Sequence, residues 1–159
     1  MPNRGFELRE YRPGDLLAMF RMDQVCFESR FQFSVHAMRD FAEAPGAVSV
    51  VAEVDGSMAG FAIAEVGGDV AYLVTIDVDP EWRRGGLAQS MMDWIVARAW
   101  DRGARRVELH VFSENEAAIR FYERLGFAQV GTVQDFYGRG VDALHYARAI
   151  NFGRLVRPI

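Results

Sequence analysis

Apolar and polar positions along the chain divide it into short segments of two kinds. Residues 6–10 alternate and predict a first strand. A turn over 11–15 follows, with Asp15 as candidate N-cap, and then Leu16, Leu17, Met19, Phe20, Met22 and Phe27 recur at helical spacing. The aromatic-rich stretch 27–33 interrupts that helix. Ser34 is placed to cap a second helix, which carries Val35, Met38, Phe41 and Ala42 and is stopped by Pro45-Gly46. Residues 47–54 and 57–66 flank Asp55-Gly56, a two-residue hairpin signal, and Gly67-Gly68 turns the chain into a further strand over 71–78.

In the second half, Leu87, Met91, Ile95 and Ala99 form one stripe of a helix over 87–101, with Gln89 and Asp93 off it and Gly103 as its stop. Residues 106–112 alternate, with Val107, Leu109 and Val111 on one face and Arg106, Glu108 and His110 on the other. Ser113 and Glu116 have capping-box spacing and open a helix through Ala118, Ile119, Tyr122 and Leu125, ended by Gly126. Strands over 127–133 and 142–150 close the chain, joined by a loop with Phe136-Tyr137. This order predicts an α/β (α+β) fold, with a mixed sheet of about seven strands and about four helices on its two faces. With no repeat, low-complexity tract or linker, residues 1–159 read as one domain.

Charge narrows the partners. The net charge is -4, which disfavours general nucleic-acid binding. Between Arg83 and Arg106, however, six arginines face only Asp93 and Asp101, a local excess of +4 that suits a small polyanion. All 18 basic residues are arginine, so lysine self-acetylation is excluded as a control. One cysteine, Cys26, rules out an internal disulfide and fits a reducing compartment; Cys26 itself reads as buried apolar filler remote from the chemistry. The start of the chain lacks an apolar signal core and no 18-residue apolar run exists, so a cytoplasmic protein without membrane association is expected.

The chemistry concentrates at residues 79–88. Two arginines and two glycines stand where a strand gives way to a helix, and such a turn points backbone N–H groups and the positive helix end at an anion. Arg83-Arg84-Gly85-Gly86-Leu87-Ala88 fits (Arg/Gln)-x-x-Gly-x-(Gly/Ala) and resembles motif A of the GCN5-related N-acetyltransferases (GNAT). Residues 115–127 resemble motif B of that family, N-x-x-A-x-x-(F/L)-Y-x-x-x-G-F, and the predicted element order agrees with its fold.

The resemblance implies acetyl-CoA as co-substrate, wedged where two strands splay at a bulge, with no metal. Its pantetheine would pair with the backbone of Ile76, Asp77 and Val78, and its pyrophosphate with the turn from Arg83 and Arg84 through Gly85, Gly86, Leu87 and Ala88, with Asn115 and Tyr122 beside the arm. Transfer would be direct, without an acetyl-enzyme. Tyr122 stands where the family carries an acid tyrosine; His110 is the first choice for the base, with Glu108 as fallback on the same face. Tyr72 and His110 match the strand tyrosine and histidine that hold a relay water in protein N-terminal acetyltransferases of the NatE type, and the ribosomal-protein S18-alanine type is similar with Glu at the histidine position. His36 and His145 read as structural. Two loops would grip the acceptor, through Phe27, Glu28 and Phe31 and through Phe136 and Tyr137. The first lacks the Phe-Pro element of the NatE type, so that type's preference for Met-starting peptides is not carried over. The expected acceptor is a protein or peptide α-amine; the alternatives are a small amine (polyamine, amino acid or aminoglycoside) or a non-catalytic acyl-CoA sensor. Relatives dimerise through their last strands, and the apolar tail 151–159 allows a homodimer.

Overall fold

The computed structural model describes residues 5–151 of the 159. The tail on which a dimer was expected lies, past Asn151, outside the described residues, as do residues 1–4 at the start of the chain. In chain order the elements are β1 (Glu7–Glu10), α1 (Leu16–Cys26), α2 (Val35–Ala42), β2 (Ala47–Val54), β3 (Ser57–Gly67), β4 (Val70–Val78), α3 (Leu87–Asp101), β5 (Arg106–Phe112), α4 (Glu116–Arg124), β6 (Ala128–Val133) and β7 (Ala143–Ala149). Short 3-10 turns occupy Pro13–Asp15, Ser29–Phe31 and Pro80–Trp82. The seven strands form one sheet in the order β1-β2-β3-β4-β5-β7-β6. Only the β4–β5 pairing is parallel.

Strands β2 and β3 of the sheet are buried on both faces. One face packs Val50, Ala52, Ala62 and Leu109 against α3, whose predicted stripe of Leu87, Met91, Ile95 and Ala99 is almost wholly inaccessible and is widened by Met92 and Val96. The other face packs Val51, Phe61 and Ile63 against Met19, Met22 and Met38 of α1 and α2. Two-sided burial explains why β2 reads as a nearly continuous apolar run rather than an alternation. Each such side chain contributes roughly 1.5–3 kcal/mol through burial.

Two predicted caps differ. Ser34 caps α2 as expected, accepting from Ala37 N–H. Asp15 precedes α1 but does not cap it: its carboxylate takes the Arg12 N–H at 2.7 Å and both terminal nitrogens of Arg9, since a bidentate charged pair outcompetes a neutral cap donor. The α4 cap is Asn115, whose Oδ1 accepts from Ala118 N–H at 3.2 Å, not Ser113. Ser113 is still held by the sheet, its N–H donating to the Asp142 carbonyl, so the helix starts two residues later than the capping-box spacing predicts.

β4 positions the site. It pairs with β5 only from Val70 to Tyr72, opposite Arg106 to Glu108; beyond that the two strands part. On its other side, Ile63 of β3 faces Thr75 while Ala64 faces Leu73, so Val74 is an extra residue, a β-bulge. Because side chains alternate with period two, the bulge exchanges the faces of everything after it. Ala71 and Leu73 belong to the α3 side of the core before it; Ile76 and Val78 do so after it. Thr75 and Asp77 are thereby sent to the α1 side, where the unmodified alternation would have put Ile76 and Val78.

Candidate active site

Where β4 and β5 part, a cleft of about 980 Å³ opens. Its walls include Ile76, Asp77 and Val78 of β4, Leu109 to Phe112 of β5, Asn115 and Tyr122, and its mouth is lined by Phe27, Glu28, Phe31 and Tyr137. One end is the turn after β4, with Arg83, Arg84, Gly86, Leu87 and Ala88. Thus most of the sequence-predicted site residues converge on one cavity. Tyr72, Gly85 and Phe136 do not line it: Tyr72 and Phe136 stand behind His110, in contact with its ring.

The turn is built to receive negative charge. Gly86 is the α3 N-cap at φ +80° and supplies no side-chain cap, and Arg84 also takes positive φ, +67°. The first-turn N–H groups of a 15-residue helix therefore reach the cleft without a side-chain cap. Arg83 turns the other way, its Nε donating to the Val78 carbonyl at 3.1 Å. Asn115 lines the cleft, but its amide oxygen is committed to capping α4. Along the adjoining wall, β4 past Tyr72 has no β5 partner, which leaves backbone groups of residues 73–78 facing the gap.

At the rim, Tyr72 Oη and His110 Nδ1 are 2.7 Å apart. Burial, then the nearby His145, press His110 below the ordinary imidazole value, against a weaker opposing pull from Glu108. Glu108 is occupied: its oxygens are held by Arg106 Nε at 2.9 Å and by His145 Nε2 at 2.7 Å. The Arg106 guanidinium, above all, holds that carboxyl below its usual range. Across the cleft Tyr122 is buried, and burial, with smaller pushes from Tyr137, Asp77 and Tyr72, raises its phenol far above the normal range. A proton therefore stays on Tyr122 at any neutral pH, ready for donation.

The mouth is aromatic. Phe31, from the loop after α1, meets Tyr137, from the loop before β7, edge-on at 5.0 Å, and Phe112 completes the group at 5.0 Å from Phe31. Burial pushes the Tyr137 phenol up to about 12. Glu28 is exposed and paired with Arg30 at 3.2 Å, and Arg30 also lies over the Phe31 ring.

Two features were not anticipated. Cys26 is not remote from the chemistry: its thiol lies 3.4 Å from the Val78 carbonyl at the cleft edge, and burial pushes it up, so it rests as a neutral thiol. Below it, Asp23 of α1 and Asp77 of β4 form a buried acid pair. Phe33 N–H donates to Asp23 Oδ2 at 2.9 Å, and the Thr75 hydroxyl to Asp77 Oδ1 at 2.6 Å. The remaining oxygens, Asp23 Oδ1 and Asp77 Oδ2, have no donor among the described residues. Burial raises both carboxyls, Asp77 strongly, so a proton held between the two acids satisfies the pair. Asp23 lies four positions after Met19 on the apolar stripe of α1, a signal the sequence contains; Asp77 depends on the bulge, which it does not show. Among the described residues no cluster of His, Cys, Asp and Glu is disposed to hold a metal ion, and no helix is long and apolar enough to cross a membrane.

Known proteins share this arrangement. The chain is 37% identical over 83 residues to the [ribosomal protein bS18]-alanine N-acetyltransferase of Escherichia coli, a stretch covering 52% of this chain and 56% of that protein. It is 33% identical over 75 residues to N-alpha-acetyltransferase 30 of Schizosaccharomyces pombe, covering 47% and 50% respectively. The matched stretches thus span about half the length of these relatives. Among solved structures, the ribosomal-protein-S18-alanine N-acetyltransferase from Escherichia coli superimposes with a TM-score of 0.81 at 28% identity, covering 92% of this chain and 95% of that one. Ard1 from Thermoplasma volcanium does so at 0.83 and 25% identity, covering 92% and 98%. The model of the acetyltransferase (GNAT) family matches residues 16–127, from the first residue of α1 through the bulged strand, the Arg-Gly turn and α4. With both motifs folded around one cleft and most of the length matched, the chain belongs to the GNAT family of acetyltransferases.

Proposed function

We propose that this protein transfers the acetyl group of acetyl-CoA directly to a primary amine, and that the amine is the α-amine of a protein or peptide N-terminus. The observation that carries the transfer reading is the Tyr72–His110 hydrogen bond on one side of the cleft with the buried Tyr122 phenol on the other. The peptide reading is supported by the aromatic mouth, where Phe31 and Tyr137 close to 5.0 Å, and by likeness to relatives named for N-terminal acetylation.

The residues present fit acetyl-CoA. The uncapped start of α3 and the positive-φ turn at Arg84 and Gly86 form a cradle for its pyrophosphate, and the unpaired edge of β4 at Ile76, Asp77 and Val78 offers backbone partners to its amide-bearing arm. When bound, the cofactor supplies an activated thioester carbon. The chain's residues then hold the acceptor and move two protons. An acceptor arriving as ammonium must lose a proton before its nitrogen can attack. Tyr72, behind His110, takes that proton through water at its Oη while passing its own to His110 Nδ1. As the new C–N bond forms and the C–S bond breaks, the electron pair leaves on sulfur, and Tyr122 donates its phenolic proton there. The nitrogen, cationic once the C–N bond has formed, releases its surplus proton to water; that proton restores Tyr122, and His110 returns its own to solvent. Glu108 is too firmly paired with Arg106 and His145 to serve as the base, and Cys26 holds its thiol proton against the Val78 carbonyl rather than acting as a nucleophile.

The test is acetyl-CoA turnover followed by mass spectrometry, on peptides beginning with Met, Ala or Ser beside spermidine and free amino acids. Modification of a peptide α-amine with a first-residue preference is the expected result. Turnover with small amines alone would overturn the peptide reading, and binding of acetyl-CoA without turnover on any acceptor would leave a sensor instead of an enzyme.

A further inference from the structure

The face of β5 that carries His110 continues into a chain of charged groups that the reaction itself does not consume. His110 and His145 are register partners across β5 and β7, and their rings lie nearly parallel, 16° apart with centroids at 4.7 Å. Phe136 is parallel to His110 as well, at 4.3 Å. His145 in turn meets Glu108, and Glu108 is fixed by Arg106, which reaches Asp69 at 3.1 Å. A carboxylate can only accept, so the 2.7 Å contact puts a proton on His145 Nε2 and orients its ring.

We propose that His145, anchored by Glu108, is a positioning residue for His110: it fixes the plane of the base and keeps that ring unprotonated and able to receive the proton from Tyr72. The two rings compete for charge. Two stacked imidazoles at this distance cannot both carry charge cheaply, because like charges oppose each other. The carboxylate that favours a cation lies against His145, not His110. The contact that favours a cation is thus on the β7 side, and a charge there opposes one on His110. The other groups facing His110 do not reverse this: Tyr72 from β4 is neutral with its phenol raised by burial, Tyr137 in the loop beyond Phe136 is neutral likewise, and Arg106 at the far end of Glu108 disfavours a second cation. The downward push on His110 attributed to its neighbour agrees with the geometry.

This inference rests on Tyr72 and His110 being the proton path, so its test has a readout independent of turnover. The chain holds 3 histidines, which makes imidazole ¹⁵N NMR titration tractable. His145→Gln keeps a donor for Glu108 but cannot be charged; His145→Phe keeps the stacked ring instead, and covers the case in which one variant fails to fold. In both, the titration midpoint of His110 is expected to rise by about half a pH unit or more. The acid limb of kcat/KM should move up by the same amount, the acceptor's own ionisation being common to all variants. An unmoved His110 midpoint in both variants overturns the proposal, and a loss of activity equal at every pH beside it marks a merely structural role. If the midpoint rises but the rate profile stays in place, the positioning stands and the assignment of His110 as the base falls.

Discussion

Glu108 and Asp77 are carboxyl groups on adjacent strands of one sheet, yet their surroundings drive them to opposite states. Glu108 lies at the rim, with a guanidinium on one oxygen and an imidazole on the other, and is held below the ordinary carboxylate range. Asp77 lies under the cleft floor, with a threonine hydroxyl on one oxygen and only another acid beside the second, and is held well above it. The rim is a region where charge is paired and protons can move; the floor is one where a proton is trapped by lack of water. The difference arises from partners and solvent, not from residue type.

Three experiments bear on this division, in falling order of effect. Tyr122 senses both regions, being pushed up by Asp77 on one side and by Tyr72 on the other. Tyr122→Phe keeps the ring in the core and removes only the donor, and should lower kcat on the order of 10²–10⁴-fold while acetyl-CoA affinity, measured by calorimetry, changes little. A wild-type kcat would detach the phenol from the reaction and assign it to packing.

The second experiment measures how stability depends on pH. An unfolded Asp releases its proton near pH ~3.9, whereas the folded Asp23–Asp77 pair retains one to higher pH. In that window the native state binds more protons than the unfolded chain, so stability falls as pH rises. Glu108 has the opposite sign: its contribution is present above the unfolded value of ~4.3 and is lost as pH falls through its depressed folded value. Urea denaturation at several pH values should therefore show Asp77→Asn flattening the decline that accompanies rising pH and Glu108→Gln flattening the one that accompanies falling pH. Identical slopes in the two variants would erase the distinction between rim and floor.

The smallest effect is expected at the mouth. Phe31→Ala removes the edge contact with Tyr137 and should raise KM for a peptide by a few-fold to tenfold, the scale of one half-buried aromatic contact of about 0.5–1.5 kcal/mol. KM for acetyl-CoA should stay put in the same steady-state assay.

What the sequence made legible follows from the range of the interactions involved. Local signals carried the Arg-Gly turn between β4 and α3, the α3 stripe, the Asp55-Gly56 hairpin and the face of β5 bearing His110, since each is written within a few consecutive residues. The Asn115 cap was also local, but Ser113 offered a competing pattern that the sheet pre-empted by holding its N–H. Features that depend on register were hidden. His145 stands opposite His110 only because β7 is inserted between β5 and β6, and nothing in the 34 intervening residues announces that pairing. The acid partner of Asp77 and the place of Cys26 were hidden for a related reason: one extra residue at Val74 and the packing of α1 across β4 decide what their side chains meet.

That extra residue has a further consequence for how such a protein can diverge. Ahead of Val74, β4 displays Tyr72 to the rim; behind it, the strand displays its backbone edge to the cofactor cradle and Asp77 to the floor. One continuous strand is therefore divided into two modules with independent phase. Substitutions in the first half can retune the acceptor chemistry without disturbing the second, while removal of Val74 alone would swap Asp77 into the apolar layer over α3 and turn Ile76 and Val78 toward the acid at Asp23.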